Sequence, residues 1–148
     1  MTVLDGQRIP PKNLQTISRD KIGVVHQEFP LVPQLTVAEN IYLRNLPKTG
    51  VPGQVSWKML FDKTKKLLDS IEVRIDPKTK VESLNMSERQ LISIARAIST
   101  DPDLLVLDEA TSTLPESDVT RLFSVVKKLV ERGVSVIYIS HRLDEIFR

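Results

Sequence analysis

Two adjacent carboxylates, Asp108 and Glu109, directly follow the apolar run LLVL at residues 104–107. The run predicts a strand of a parallel sheet buried on both faces, and open α/β sheets bind ligands at the carboxyl ends of their strands. In nucleotide hydrolases, a strand-end aspartate can hold Mg²⁺, and a neighbouring glutamate can act as a general base towards water. A strand that simply ends in a polar turn has the same letters, so the pair alone leaves both interpretations open.

Two more polar residues follow predicted strands. Gln27 ends the short apolar segment at residues 22–26, and His141 comes after the apolar run VSVIYI at residues 134–139. A glutamine amide can contact Mg²⁺ or its water without adding charge. An imidazole on the strand beside residues 104–108 can reach the same site. Either residue alone is more commonly structural, so each depends on the others for its interpretation.

A helix start at SLNMSERQLISIARA, residues 83–97, is the fourth candidate feature. Ser87 and Gln90 have the spacing of a capping box, which predicts a helix from Ser87 to about Ser99. The free backbone N–H groups and the dipole of a helix N-terminus favour an anion, and Asn85 and Ser87 add side-chain donors. Plain capping explains the same residues, and the local pattern favours it.

The elements that must position these residues form an α/β arrangement. A strand at 104–108, a helix from about Pro115 to Arg132 that Gly133 ends, and a strand at 134–139 make up a βαβ unit. Strands that flank such a crossover lie parallel, so their carboxyl ends meet at one edge of the sheet. We therefore expect the candidate strand-end residues to converge there.

A mostly helical insert, at about residues 36–100, separates the early strand from the βαβ unit. Thr36 and Glu39 form a capping box that predicts a helix to about Leu43, and Ser56 precedes a longer amphipathic helix. Ahead of the insert, the segment FPLVPQL contains two prolines that exclude regular structure. VLDGQRI, near the start of the chain, predicts a β-hairpin, and a short helix is predicted at residues 11–19.

Composition excludes several classes of protein. The 148 residues carry a net charge of +2, which is too weak to indicate a nucleic-acid partner. There is no cysteine, so disulfide and thiol chemistry are excluded, and this suits the cytosol. The longest apolar runs, LLVL and VIYI, are far too short to span a bilayer.

Taken together and in this order, the features resemble the nucleotide-binding domain of ABC transporters. The matching segments are VVHQEFPLVPQLTVAENIYL for the Q-loop, SLNMSERQLISIARAI for the signature, LLVLDEATSTL for the Walker B strand and D-loop, and VIYISHRLDEIF for the switch histidine. The segments ENIYL, RLFSVVKKL and YISHRLDEIF are similar to the ATPases of bacterial simple-sugar importers of the ribose and galactose type. The resemblance implies a partial P-loop NTPase domain over residues 1–148, with a parallel-sheet core at about 1–35 and 101–148 and a helical subdomain at about 36–100.

The same resemblance implies roles for the candidate residues and implies ATP and Mg²⁺ as cofactors. Asp108 and Gln27 would serve Mg²⁺, Glu109 would act as the base towards water, and His141 would contact the γ-phosphate. The signature residues would face ATP held by an opposite domain, and these residues are Asn85, Ser87 and Glu88.

The resemblance also implies partners and a location. A second nucleotide-binding domain would complete the ATP sandwich, and transmembrane permease subunits would contact the FPLVPQL segment. A sugar-binding protein would take part indirectly, and no nucleic acid is expected. The protein would lie in the cytoplasm, peripheral on the inner face of the cell membrane.

Some positions depart from the family pattern. None of the five glycines is followed by Lys, so these 148 residues contain no phosphate-binding loop of the form G-x-x-x-x-G-K-[ST]. Ala110 stands where the family usually has Pro, and Pro115 where the D-loop usually has Asp or Thr. We expect a fragment lacking the Walker A region, which neither binds ATP tightly nor hydrolyses it alone and which leaves apolar sheet surface exposed. The alternatives are a non-catalytic, degenerate ABC module that acts through domain contacts, and a soluble ABC-type ATPase.

Overall fold

A computed structural model describes residues 2–4, 7–9, 21–25, 31–49, 54–109 and 114–140 of the chain. The strands are β1 (Thr2–Leu4), β2 (Gln7–Ile9), β3 (Ile22–Val25), β4 (Leu104–Asp108) and β5 (Ser135–Ile139). The helices are α1 (Val37–Ile41), α2 (Trp57–Ser70), α3 (Met86–Ile98) and α4 (Glu116–Glu131), with a 3₁₀ turn at Val81–Ser83. β1 and β2 pair antiparallel, which confirms the predicted hairpin. The helix predicted at residues 11–19 lies outside the described residues.

Strands β3, β4 and β5 form a parallel sheet in that order. The register places Val24 opposite Val106 and Val106 opposite Ile137. With α4 as the crossover between β4 and β5, this arrangement confirms the predicted βαβ unit and the α/β class. The central strand is β4, so Asp108 ends the strand that has a partner on each side.

Helices pack on one face of this sheet. Gly23 of β3 faces α3 so closely that an added Cβ would lie 2.8 Å from the Ala97 carbonyl oxygen. Over β5, the Phe123 ring of α4 meets the Tyr138 ring edge-on, with 5.3 Å between centroids. These contacts bury the alternate residues of β4 completely, Leu105 among them.

Among the described residues nothing covers the other face of the sheet, so the expectation that the strands are buried on both faces was wrong. Val24 is 40% exposed, and Ile137 and Ile139 are each 49% exposed. Directly paired residues point to the same side of a sheet, so these side chains share one surface. The expected exposure of apolar sheet surface is therefore confirmed.

Helix ends follow the sequence signals closely. The Thr36–Glu39 capping box is present, although α1 ends at Ile41, two residues before the predicted end. Ser56 is the N-cap residue of α2 but makes no side-chain capping bond. α4 ends at Glu131 and is followed by Gly133, whose φ is 91°. The N–H groups of Gly133 and Val134 donate to the carbonyls of Val130 and Leu129 in the last turn of the helix. This pattern is a Schellman motif, which needs the positive φ that glycine adopts without strain.

The start of α3 corrects the sequence prediction. Asn85, not Ser87, is the N-cap residue, and the capping box pairs Asn85 with Glu88. Glu88 N donates to Asn85 Oδ1 and Asn85 N donates to Glu88 Oε2, both at 2.9 Å. Ser87 is the second residue of the helix. The physical reason is that a carboxylate in the first turn interacts favourably with the helix dipole, whereas the amide of Gln90 would add no charge.

One cluster of buried apolar side chains joins the helices to the sheet. It includes Val37 and Leu60 from the helical insert together with Val25, Leu107 and Leu122 from the sheet and α4. None of the described helices is both long and apolar enough to cross a membrane.

Candidate functional site

The carboxyl end of β4 carries the two predicted site carboxylates. Asp108 is the last residue of the strand, is half-buried, and is paired with Ile139 of β5. The N–H of Glu109 donates to the Ile139 carbonyl at 2.9 Å, which continues the ladder one residue beyond the strand. The two carboxylates therefore start from backbone that is fixed by β5.

Glu109 has a left-handed backbone conformation, with φ 52°. This region is unfavourable for a residue with a Cβ, by roughly 1–2 kcal/mol. Glu72 and Asp101 have the same conformation, so at Glu109 it describes the turn after β4 and does not by itself indicate a functional site. Nothing in the letters DEA indicates this turn, so the sequence could not have predicted it.

The parallel register brings the ends of neighbouring strands to the same level. Val25 at the end of β3 pairs with Leu107, and Ile139 at the end of β5 pairs with Asp108. The predicted site residues Gln27 and His141 lie outside the described residues. Their strands nevertheless end at this edge, as the sequence predicted.

The predicted signature residues lie at the N-terminal end of α3, away from the sheet. α3 contacts the sheet near its C-terminus, at Ala97, and its N-cap Asn85 lies about 18 Å away along the axis at 1.5 Å per residue. Asn85, Ser87 and Glu88 are therefore presented by the helical insert rather than by the sheet edge.

The electrostatics of this helix start are mixed for an anion. The dipole and the free N–H groups favour negative charge, but Glu88 already places a carboxylate in the first turn. The cap uses the oxygen of the Asn85 side chain, so the amide nitrogen is not consumed by it. A phosphate at this position would need donors or cations from elsewhere to offset the charge of Glu88.

The sheet edge fits Mg²⁺ better than it fits a fully protein-bound metal. Among the described residues, no group of three His, Cys, Asp or Glu side chains could hold a metal ion. Mg²⁺ commonly uses one or two carboxylates and takes its other ligands from water and substrate phosphates. Asp108 at the end of the central strand meets that requirement, whereas the sequence supplies no phosphate-binding loop for the nucleotide.

The described part of the FPLVPQL segment, residues 31–35, is held by hydrogen bonds to two places. The carbonyls of Pro33 and Leu35 accept from the N–H groups of Glu82 and Val81, at 2.9 and 3.1 Å. The side chain of Asn40 holds the segment from the other side. Sequence reasoning missed Asn40. Its signal was a polar residue at helical spacing from Val37, on the apolar side of α1.

A family model described as ABC transporter matches residues 2–112. The chain belongs to the ABC transporter family. The matched residues include β4, Asp108, Glu109 and the start of α3.

Curated relatives within the ABC transporter family are named as sugar-import proteins. The chain is 41% identical to the arabinose import ATP-binding protein AraG of Rhizobium etli over 98% of its length. It is 40% identical to the ribose import ATP-binding protein RbsA of Geobacillus kaustophilus over 98% of its length. It is 38% identical to the galactose/methyl galactoside import ATP-binding protein MglA of Sodalis glossinidius over 99% of its length. The chain spans only 28–29% of the length of these relatives.

Solved structures of the family share the fold. The dimeric structure of MJ0796, a bacterial ABC transporter cassette, superposes with a TM-score of 0.74 and 26% identity. The alignment covers 93% of this chain and 59% of that one. CbiO1 from Clostridium perfringens, part of an ABC transporter complex, superposes with a TM-score of 0.75 at 19% identity, covering 97% of this chain and 57% of that one. The chain therefore has the fold of ABC ATPases.

Proposed function

We propose that this chain is part of an ATP-binding and ATP-hydrolysing subunit that energises sugar import through an ABC transporter. The observation that carries the proposal is the Asp108–Glu109 pair at the carboxyl end of the central strand, held to β5 by the Glu109 N–H. The import names of the relatives AraG, RbsA and MglA support sugar as the cargo. The proposal concerns the complete gene product that carries this sequence.

In this proposal each strand-end residue has a distinct role. Asp108 holds Mg²⁺ together with Gln27, and Glu109 takes a proton from the attacking water. His141 contacts the γ-phosphate. Mg²⁺, when bound, neutralises the negative charge that develops on the phosphoryl oxygens. The backbone hydrogen bond from Glu109 to Ile139 keeps the base from shifting relative to β5.

The signature residues act on a second domain in this proposal. Asn85 and Ser87 donate to the γ-phosphate of ATP held by an opposite nucleotide-binding domain, and Glu88 maintains the helix start through its bond to Asn85 N. Permease subunits contact the 31–35 loop, and a sugar-binding protein delivers the cargo to the permease. The subunit then lies on the cytoplasmic face of the membrane.

The experiment compares Glu109→Gln with Glu131→Gln in the complete gene product, measured by Mg²⁺-dependent phosphate release. Loss of the base is expected to lower kcat by about 10²–10⁴-fold, as for general-base catalysis, while nucleotide binding is retained. Glu131 is an exposed glutamate at the end of α4, so its variant is the matched control. Turnover in Glu109→Gln equal to that of Glu131→Gln would remove Glu109 from this role.

A non-catalytic, degenerate module is the second candidate function. The observation that favours it is that these 148 residues contain no phosphate-binding loop, while Glu88 adds negative charge at the signature. We expect isothermal titration of the 148-residue chain with Mg-ATP to give no micromolar binding. If the complete gene product binds nucleotide no better, the non-catalytic function is supported, whereas micromolar binding by the 148-residue chain itself would contradict it.

A further inference from the structure

Asn40 is a polar residue in the core of the helical insert. It lies on α1 between Ala38 and Ile41, and its side chain has no exposed surface. Asn40 Oδ1 accepts from the N–H of Val32 at 2.8 Å, and Nδ2 donates to the Val32 carbonyl at 3.0 Å. Nδ2 also donates to Thr36 O at 3.0 Å, with a longer contact of 3.4 Å to Leu35 O.

A carboxamide of this length satisfies all of these partners. The side chain presents one acceptor and two donors, and it pairs with both backbone groups of Val32 as a neighbouring strand would. A leucine would leave a buried N–H without a partner, and an ionised aspartate would place negative charge against carbonyl oxygens. A glutamine would need an additional methylene to fit in a closed core.

The segment that Asn40 holds is bonded on its far side to the start of the signature region. Pro33 O and Leu35 O accept from the N–H groups of Glu82 and Val81, which belong to the 3₁₀ turn ahead of the Asn85 cap. Glu82 O in turn accepts from Arg89 Nη2 at 3.1 Å, inside the first turns of α3. The 31–35 loop is thus clamped between Asn40 and the signature helix start.

We propose that Asn40 is a positioning residue that fixes the 31–35 loop against Val81 and Glu82. Through this loop, the binding of a partner at residues 31–35 changes the position of the signature helix α3. The transmission part of this inference rests on the proposed function, in which a permease contacts the loop. The positioning part rests on the hydrogen bonds alone. Because the Asn40 side chain is fully buried, Asn40 acts through the loop in this proposal and not by direct contact with nucleotide or partner.

The test uses Asn40→Asp in the complete gene product, with Asn45→Asp as the matched control. Asn45 is an exposed asparagine just after α1, so it receives the same chemical change outside the core. Hydrogen exchange of the Val32, Val81 and Glu82 amides is expected to become about tenfold faster in Asn40→Asp than in the control, because buried hydrogen bonds are lost. Unchanged exchange at all three amides would overturn the positioning role.

A pH series makes this test specific to the carboxamide. A protonated aspartic acid carries one O–H donor and one acceptor, so it restores the two-point contact with Val32. The difference in exchange between Asn40→Asp and the control should therefore shrink as the pH falls from 8 towards 5, because burial raises the pKa of a carboxyl group. A difference that stays constant over this range would contradict the geometry. If Asn40→Asp does not fold, Asn40→Ser, which removes the two-point contact without adding charge, gives the same exchange test at one pH.

Transmission is tested by the ratio of ATP turnover with permease to turnover without it. A merely structural loss does not lower this ratio, because a bound permease can only raise the fraction of folded enzyme. We expect Asn40→Asp or Asn40→Ser to lower the ratio about fivefold or more, in the range of allosteric coupling, while Asn45→Asp keeps it. A wild-type ratio in the Asn40 variants would overturn transmission, whereas an absence of turnover in the wild-type protein would count against the proposed function.

Discussion

The two faces of the parallel sheet have the same kind of sequence but different surroundings. On the covered face, Gly23 packs against α3 and Tyr138 packs against Phe123 of α4. On the open face, Val24 and Ile137 are 40% and 49% exposed, although both are apolar. The strands carry the two-sided apolar pattern of a sheet with a cover on each side, and the described residues supply a cover for only one.

The difference between the two faces indicates that the exposed face needs a cover from outside the described residues. Large exposed apolar surfaces are commonly covered by another element or by a partner. The aligned part of the MJ0796 cassette is 59% of that chain, so the family fold includes additional structure beyond what aligns here. We therefore expect the open face to be covered in the complete gene product, and the covered face to contribute most of the stability of the 148-residue chain.

The largest expected difference in the free energy of unfolding is between alanine substitutions at two neighbouring leucines on opposite faces of β4. Leu105 is fully buried, whereas Leu104 is half-buried. Leu105→Ala should lower the free energy of unfolding of the 148-residue chain by about 2–5 kcal/mol, because it removes contacts and leaves a cavity. Leu104→Ala should cost about 1 kcal/mol.

Urea unfolding of both variants measures this difference. The two free energies of unfolding are compared directly if both variants show the same slope against urea concentration. The two substitutions delete the same atoms from adjacent positions of one strand, so each serves as the control for the other. Equal losses would mean that the two faces are packed equally well and would end the distinction between them.

A smaller effect is expected on the open face, and it should depend on the length of the protein. Ile137→Thr keeps a β-branched side chain and introduces a hydroxyl at an exposed position. In the 148-residue chain we expect a change in unfolding free energy within about 0.5 kcal/mol. In the complete gene product we expect a loss of about 1–3 kcal/mol, because the hydroxyl becomes buried without a partner.

Thermal unfolding of both lengths tests this, with Val136→Thr as the control on the covered face. Val136 packs partly against the core, so its variant should lose stability in either length. A loss for Ile137→Thr that is the same in the short and the complete protein would show that nothing covers the open face.

Features written in consecutive residues were predictable. The apolar run at 104–108, the Thr36–Glu39 capping box and the stop at Gly133 each follow from neighbouring letters, and the structure confirms all three. The position of Asp108 and Glu109 at the carboxyl end of β4 was predictable for the same reason, because both residues directly follow the apolar run.

Features that depend on distant partners were not predictable. The capping box predicted at Ser87–Gln90 was wrong for a local reason, because Glu88 pairs with Asn85 instead. Asn40 is satisfied by carbonyls that only the folded loop brings near it, and the left-handed turn at Glu109 depends on the bond to Ile139. For Asn40 and Glu109 the deciding interaction comes from the fold rather than from the local sequence.

The smallest expected effect concerns the ion pair that joins α4, a cover of the closed face, to the helical insert. Lys128 donates to Glu72, and this hydrogen bond, together with the charge of Lys128, holds the pKa of the Glu72 carboxyl below its ordinary value. The stabilisation is therefore present in full above the ordinary carboxyl pKa and is lost as the pH falls through the lowered value. Lys128→Met should remove this part of the pH dependence of unfolding, whereas Lys127→Met, at the exposed neighbouring position, should keep it. Because the pair is exposed, the effect should also shrink in high salt, and a pH dependence that Lys128→Met leaves unchanged would show that the pair does not hold α4 to the insert.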